Sequence, residues 1–186
     1  MSELAQSALP GAAYEGFVTV AEAGLRGMIT VRGDLAGLAG AVKDATGCAI
    51  PAQRRVEQAG AKAVAWMSPD ELLILCDYAD APALTASLAT ALSGQFATVA
   101  NVSDARAVFT VTGAQAGDAL AKLCPVDFGA MTTGDIRRTR AAQVAAAIWV
   151  SGEGEMTLVC FRSVAQYMFD LLSRAAQPGS EPKLYA

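Results

Sequence analysis

The sequence feature that most constrains the fold of this chain is an internal repeat. Residues 28–33 (MITVRG) and residues 108–113 (VFTVTG) each predict a strand that ends at a glycine and is followed by a helix-like run, at positions 80 apart. Each copy continues with two apolar strands joined by a polar turn, with Trp66 in one and Trp149 in the other, and then an amphipathic helix. Since order and spacing agree to within three residues, we interpret the chain as two copies of one βαββα unit.

The repeat predicts an α+β fold built from two ferredoxin-like halves, with helices on the outside of their sheets. We place an N-terminal arm at residues 1–24, a βαββαβ half at 25–103, a βαββα half at 104–176 and a C-terminal tail at 177–186. We expect Trp66 and Trp149 to occupy equivalent positions. The least regular segments lie between the first helix and the hairpin of each half, so function-bearing loops are expected there.

The charge pattern argues against nucleic-acid binding. The net charge is −4, from 14 basic and 18 acidic residues, and the densest basic run is residues 137–140 (RRTR). That run fits a solvated loop or a salt-bridged interface better than a phosphate site. Charged residues make up 17% of the chain, against a typical value of about 25%. Either part of the surface is covered by a partner, or the composition is simply alanine-rich.

We expect a cytoplasmic protein without a membrane span. Residues 82–103 carry no charge, but Gly94 and several polar residues divide them into a helix followed by a strand. The first eleven residues have neither a basic head nor an apolar core, so we expect no signal peptide. The four cysteines are scattered and form no C-x-x-C pair, which suits a reducing compartment.

Catalytic and metal sites have little support in the sequence. The chain contains no histidine, which removes Ser-His-Asp and Cys-His arrangements and the commonest metal ligand. The carboxylates follow no pattern typical of Ca²⁺ or Mg²⁺ binding. The turns at Gly33 and Gly113 lack the further glycines of a dinucleotide fingerprint and lack G-K-[ST]. We expect no catalytic, cofactor-binding or metal-binding residue in this chain.

Three motifs in the second half carry a family resemblance. They are VSDAR at 102–106, KLCPVDF at 122–128 and FRSVAQY at 161–167, with Gly134 and Thr139 at matching spacing. As a set they resemble the gamma subunits of heterotetrameric sarcosine oxidases, over residues 102 to 175 or so. The family often has a His-Pro pair where Gly129 and Ala130 stand here.

The resemblance implies a non-catalytic subunit whose fold is similar to the folate-binding domain of the glycine-cleavage T-protein. Its partners would be the alpha, beta and delta subunits, which would hold FAD, FMN, NAD and tetrahydrofolate. The complex would oxidise sarcosine with oxygen to glycine and hydrogen peroxide and pass the one-carbon unit to tetrahydrofolate. The alternative is a stand-alone folate-binding or one-carbon-transfer protein of the T-protein type, and a third class is an unrelated scaffold.

Four residues of these motifs are our candidate interface or structural residues: Arg106, Asp127, Arg162 and Ser163. Arg106 is either an anion contact or part of a turn. Ser163 is expected to cap the last helix through its hydroxyl group. Arg162 would gain nothing from a helix N-terminus, so we expect a carboxylate partner for it, within the chain or on a large subunit.

Overall fold

The computed structural model describes residues 5–185. Residues 1–4 and 186 lie outside the described residues, and with them the start of the predicted N-terminal arm and the end of the predicted tail. The chain forms two compact units. The continuous unit is Leu25–Asp104, and the split unit combines Met1–Gly24 with Ala105–Ala186.

The secondary structure consists mainly of strands. In chain order the elements are β1 (Ala13–Glu15), β2 (Thr19–Glu22), β3 (Gly27–Arg32), α1 (Leu35–Thr46), β4 (Val56–Ala59), β5 (Lys62–Ser68), β6 (Glu71–Cys76), α2 (Ala81–Ala91), β7 (Thr98–Asn101), β8 (Arg106–Thr112), α3 (Ala116–Ala121), β9 (Ile136–Ala141), β10 (Val144–Gly152), β11 (Glu155–Phe161) and α4 (Ala165–Ala175). None of the helices between residues 5 and 185 is long and apolar enough to cross a membrane.

The continuous unit is an antiparallel sheet in the order β4-β5-β6-β3-β7, packed against α1 and α2. Alternate residues of β3, Ile29 and Val31, enter a core shared with the helices. Helix α1 has the predicted bounds. Asp34 Oδ2 accepts a hydrogen bond from Gly37 N at its start, and Gly47 ends it with φ 79°.

The split unit is an antiparallel sheet in the order β1-β2-β8-β11-β10-β9. Its core joins Phe109 of β8, Ile148 of β10 and Leu158 of β11 with Leu120 of α3 and Met168 of α4, each fully buried. β1 and β2 come from the N-terminal residues, where no strand was predicted. β2 pairs with β8 from Thr19↔Thr112 to Glu22↔Phe109.

The predicted repeat and the α+β fold of two βαββα halves are confirmed. β3, β5 and β6 of the continuous unit correspond to β8, β10 and β11 of the split unit. β7 lies beside β3 just as β2 lies beside β8, so both sheets have the ferredoxin-like order with an added edge strand, β4 or β9, and the sheet of the split unit has β1 as a further strand. The fourth strand of the second half therefore comes from the beginning of the chain.

The two tryptophans occupy equivalent strands but not equivalent positions, and the prediction was wrong by one residue. Both hairpins have an irregularity beside the turn, and the last paired residue before it is Trp66 in β5 and Val150 in β10. Trp149 lies one residue farther from its turn. By alternation Trp66 shares a face with the core residue Val64, whereas Trp149 lies on the face opposite the core residue Ile148. The residues that follow the two turns, Glu71 and Glu155, are 84 positions apart, whereas the tryptophans are 83 apart, so the offset of the tryptophans is one residue out of register with the hairpins.

Two strands lie inside segments that we had predicted to be irregular. β4 and β9 form the outer edges of their sheets, and β9 carries Arg137, Arg138 and Arg140. Charged edge strands lack the apolar pattern on which strand prediction depends. Helix α3 is also shorter than the predicted run 114–123.

Candidate functional site

Arg106 begins β8 opposite Phe161, the last residue of β11. The guanidinium carbon of Arg106 lies 4.3 Å from the centroid of the Phe161 ring, within the range of a cation–π contact. Phe161 is 47% exposed. The pair therefore presents a cation and an aromatic ring together on the surface of the split unit, a combination that suits protein–protein contact.

Asp127 has a local structural role. Its Oδ1 accepts a hydrogen bond of 3.1 Å from Gly129 N and so caps the short 3-10 turn Phe128–Ala130. The same turn is covered by Tyr185, whose hydroxyl oxygen accepts a hydrogen bond from Phe128 N. A Cβ atom at Gly129 would lie 2.7 Å from Cδ1 of Tyr185. Gly129, which stands where the resemblance suggests a His-Pro pair, thus lies against the ring of Tyr185.

The predicted cap of α4 by Ser163 is wrong. The chain leaves β11 through a 3-10 turn, Arg162–Val164, and α4 begins only at Ala165 with Val164 in the cap position and no side-chain cap bond. Because the 3-10 turn bonds Ala165 N to the carbonyl of Arg162, the first orphan donor of the helix is already satisfied. Ser163 is exposed within that turn.

Arg162 is held by a backbone group. Its Nη2 donates a hydrogen bond of 3.1 Å to the carbonyl oxygen of Ser7, 155 positions earlier in the chain. Ser7 in turn donates its hydroxyl to Glu22 of β2. Among the described residues no ion pair of Arg162 with a carboxylate is seen. A carboxylate on a large subunit stays a prediction.

The four candidates therefore lie in two places. Arg106, Arg162 and Ser163 lie at the end of the sheet where β8 begins and β11 ends, whereas Asp127 lies in the loop after α3. Lys122, from the same motif as Asp127, was missed as a structural residue. Its Nζ donates a hydrogen bond to the carbonyl oxygen of Ala175 and lies 4.9 Å from the centroid of the Phe17 ring. Lys122 therefore links the end of α3 to the end of α4.

The thiols are poor nucleophiles. All four cysteines are free and buried. Burial raises the pKa of Cys124 to about 12, and it raises that of Cys160 to about 11 although Arg106 partly opposes the shift. Burial, reinforced by Asp80, also raises the pKa of Cys76. Such thiols stay protonated near neutral pH.

Two features of residues 5–185 bear on the binding of metals and ligands. Within that part of the chain, no three cysteine, aspartate or glutamate side chains approach closely enough to hold a metal ion. A cavity of about 550 Å³ lies beside the start of β7, but Arg32 on its wall is paired with Asp70 at 3.2 Å. The Ser68 hydroxyl, more than Arg32, lowers the pKa of Asp70.

Comparison with known proteins identifies the family. The sarcosine oxidase, gamma subunit family matches residues 32–177. This chain belongs to that family. The resemblance that the motifs predicted is confirmed.

The fold of this gamma-subunit family member is similar to that of two solved structures. The heterotetrameric sarcosine oxidase of Corynebacterium sp. U-96, in complex with pyrrole 2-carboxylate, contains a chain that matches with a TM-score of 0.78 and 26% identity, over 88% of this chain and 87% of that one. Aminomethyltransferase T of the glycine cleavage system from Bartonella henselae matches with a TM-score of 0.62 and 14% identity, over 84% of this chain and 46% of that one. The second match shares the fold, as expected. No curated protein sequence matches the chain.

Proposed function

We propose that this chain is the non-catalytic gamma subunit of a heterotetrameric sarcosine oxidase. Its partners are the alpha, beta and delta subunits, and the complex oxidatively demethylates sarcosine to glycine, forms hydrogen peroxide and transfers the one-carbon unit to tetrahydrofolate. The observation that carries the proposal is the family match over residues 32–177, together with a fold shared over 88% of the chain with a heterotetrameric sarcosine oxidase. We assign the complex to the cytoplasm because all four cysteines of this chain are free thiols.

A structural role agrees with the chemistry of the side chains. Histidine is the usual general base near neutral pH, and this chain has none; its four thiols are buried, and burial raises the pKa values of Cys76, Cys124 and Cys160. We expect the isolated chain to be inactive.

The residues after β3 and β8 do not fit a dinucleotide phosphate, so we assign FAD, FMN, NAD and tetrahydrofolate to the partner subunits. A helix N-terminus binds phosphate through free N–H groups. At α1 that place is taken by the Asp34 carboxylate, which accepts from Gly37 N and would repel an anion. The helix that follows Gly113, α3, spans only six residues.

The test is reconstitution. Co-expression with a tagged large subunit should recover this chain in a stoichiometric complex that forms peroxide from sarcosine. The chain expressed alone should be colourless and inactive, and omitting it should lower the yield of assembled complex. Failure of the chain to co-purify with the large subunits would refute the proposal. Binding of tetrahydrofolate by the isolated chain, measured by calorimetry, would support the stand-alone alternative instead.

A further inference from the structure

The four edge strands of the two sheets differ in how they are protected. β1 ends in Glu15, β4 contains Glu57 and β9 contains three arginines, whereas β7 (TVAN) contains no charge and no proline. Charged side chains and prolines are the usual means by which edge strands avoid pairing with other chains. Among the described edges, β7 alone lacks this protection.

The outer edge of β7 carries backbone groups available for pairing. Val102 N donates a hydrogen bond to the carbonyl oxygen of Met28, the residue that lies opposite it just beyond the paired part of β3 and β7. In an antiparallel pair of strands, every second residue of a strand forms backbone hydrogen bonds with the neighbouring strand. Counting in steps of two from Val102, Ala100 and Thr98 are the residues of β7 that bond to β3. The N–H and C=O groups of Val99 and the N–H of Asn101 therefore point away from the sheet.

The internal repeat shows how such an edge is completed. In the split unit the strand that corresponds to β7 is β2, and it is covered by β1 in antiparallel register, Ala13↔Ala21 to Glu15↔Thr19. The split unit thus has six strands and the continuous unit five, and the position that corresponds to β1 is vacant among the described residues. The fold accommodates an extended segment at that position.

The surroundings of β7 select an uncharged occupant. No charged residue occurs from position 81 to position 103. Phe96, two residues before the strand, is fully exposed at 102% and lines the cavity of about 550 Å³. The charges on the cavity wall have partners within the chain, Arg32 with Asp70 and Asp34 with the N–H of Gly37. A charged segment would lose hydration here without gaining a counter-charge.

We infer that β7 is the docking edge for an extended, uncharged segment of a large subunit, which pairs with β7 in the way that β1 pairs with β2 and receives Phe96 in an apolar pocket. A four-residue strand buries too little area to hold a partner or a second copy by itself. The segment therefore belongs to a subunit that also contacts this chain elsewhere. This inference rests on the proposed function.

Two substitutions test the edge without touching the core. Thr98→Lys gives exposed β7 the charge that the other edges carry, and Phe96→Ser removes the exposed ring. Their matched controls are Gln58→Lys on the opposite edge of the same sheet and Leu184→Ser, which removes another exposed apolar side chain. Each variant is first shown to melt within a few degrees of the unmodified chain, and its affinity for the tagged large subunits is then measured.

We expect Thr98→Lys and Phe96→Ser each to weaken assembly at least about tenfold, in line with the loss of a central interface contact. The two controls should stay within about twofold. Hydrogen exchange should show slower exchange across residues 95–101 in the complex than in the free chain. If the unmodified chain assembles and both test variants assemble equally well, the docking edge is refuted while the proposed function stands. If the unmodified chain does not assemble, the proposed function fails first. A dimer of the isolated chain that Thr98→Lys dissociates would also overturn the inference, because the occupant would be a second copy.

Discussion

The buried carboxylate of Asp118 accepts a hydrogen bond of 2.8 Å from the backbone N–H of Leu184, across 66 positions of the chain. Asp118 lies in α3 and is 1% exposed. Beside it the ring of Tyr185 contacts Gly129, and its hydroxyl oxygen accepts from Phe128 N. The C-terminal tail is therefore fastened to the split unit by specific contacts.

We expect Asp118→Ala to release this tail. The N–H of Leu184 would lose its acceptor, at a cost of about 1–2 kcal/mol in the free energy of unfolding, and trypsin would cleave after Lys183 at least several times faster. Asp118→Asn keeps an acceptor oxygen and should restore most of the protection. The control is Asp170→Ala, an exposed carboxylate of α4 whose loss should cost less than about 0.5 kcal/mol. Cleavage of Asp118→Ala at the unmodified rate would contradict the role of this bond.

Two glycines should respond in opposite directions to alanine. A Cβ atom at Gly16 would lie 1.9 Å from the carbonyl oxygen of Ala176, which also accepts from Phe17 N. We expect Gly16→Ala to lower the free energy of unfolding by about 2–3 kcal/mol, because backbone must move. At Gly40, inside α1, nothing lies within 4 Å, so Gly40→Ala should stabilise by up to about 1 kcal/mol. Urea denaturation measures both, and equal effects of the two substitutions would disprove the close approach.

We expect the free energy of unfolding to fall at alkaline pH because two thiols are buried in the fold. In the unfolded chain Cys124 and Cys160 ionise near their ordinary pKa of 9.0, but in the fold their pKa values are about 12 and about 11. As pH rises, these thiols lose their protons in the unfolded chain before they do so in the folded chain, which favours unfolding. The free energy of unfolding is therefore unaffected by these thiols below about pH 9. Between there and the folded pKa values it falls by up to about 1.4 kcal/mol per thiol for each pH unit.

The measurement is urea denaturation under reducing conditions at several pH values between about 8 and about 10. A variant carrying Cys124→Ala and Cys160→Ala should show a shallower fall than the unmodified chain. An identical slope in the two proteins would mean that these thiols do not contribute to it.

Alanine substitutions at Arg162 and at Ser163 should differ clearly in their effects on stability. Arg162→Ala removes the bond to the Ser7 carbonyl and should cost about 1–2 kcal/mol of stability, whereas Ser163→Ala should cost less than about 0.5 kcal/mol because Ser163 caps nothing. Thermal melts of the isolated chain test both. If Arg162 also meets a carboxylate on a large subunit, Arg162→Ala weakens assembly beyond its effect on stability, and Arg162→Lys restores part of it. A Ser163→Ala variant as unstable as Arg162→Ala would contradict the geometry of the 3-10 turn.

The parts of the fold that could be predicted from sequence are those determined locally. Helix α1 and strands β6 and β11 have the predicted bounds because an apolar pattern ends at a turn or a capping residue in each case. β2 was missed because its partner, β8, begins 84 residues after it ends, and four residues carry too little pattern by themselves. The register of Trp149 was missed because the prediction aligned the two tryptophans, 83 positions apart, whereas the turns that set the register of the hairpins are 84 apart.

The candidate residues likewise include features that the sequence could predict and features that it could not. Asp127 was predicted as an interface or structural residue from its motif, and its carboxylate caps the 3-10 turn Phe128–Ala130. The sequence could not predict that a 3-10 turn precedes α4 and moves the cap position from Ser163 to Val164. Nor could it predict that Phe96 is fully exposed, since a lone phenylalanine before a strand is usually buried.

The place of β2 ahead of Leu25–Asp104 sets an order for folding on the ribosome. β1 and β2 emerge before their partner β8, which follows only after the whole of Leu25–Asp104 has been synthesised. The continuous unit can complete its sheet while the hairpin of β1 and β2 still lacks its partner strand β8. The split unit can complete its fold only when the last helix, α4, has emerged. Translation speed across residues 25–104 therefore sets how long that hairpin is exposed to chaperones and to neighbouring nascent chains.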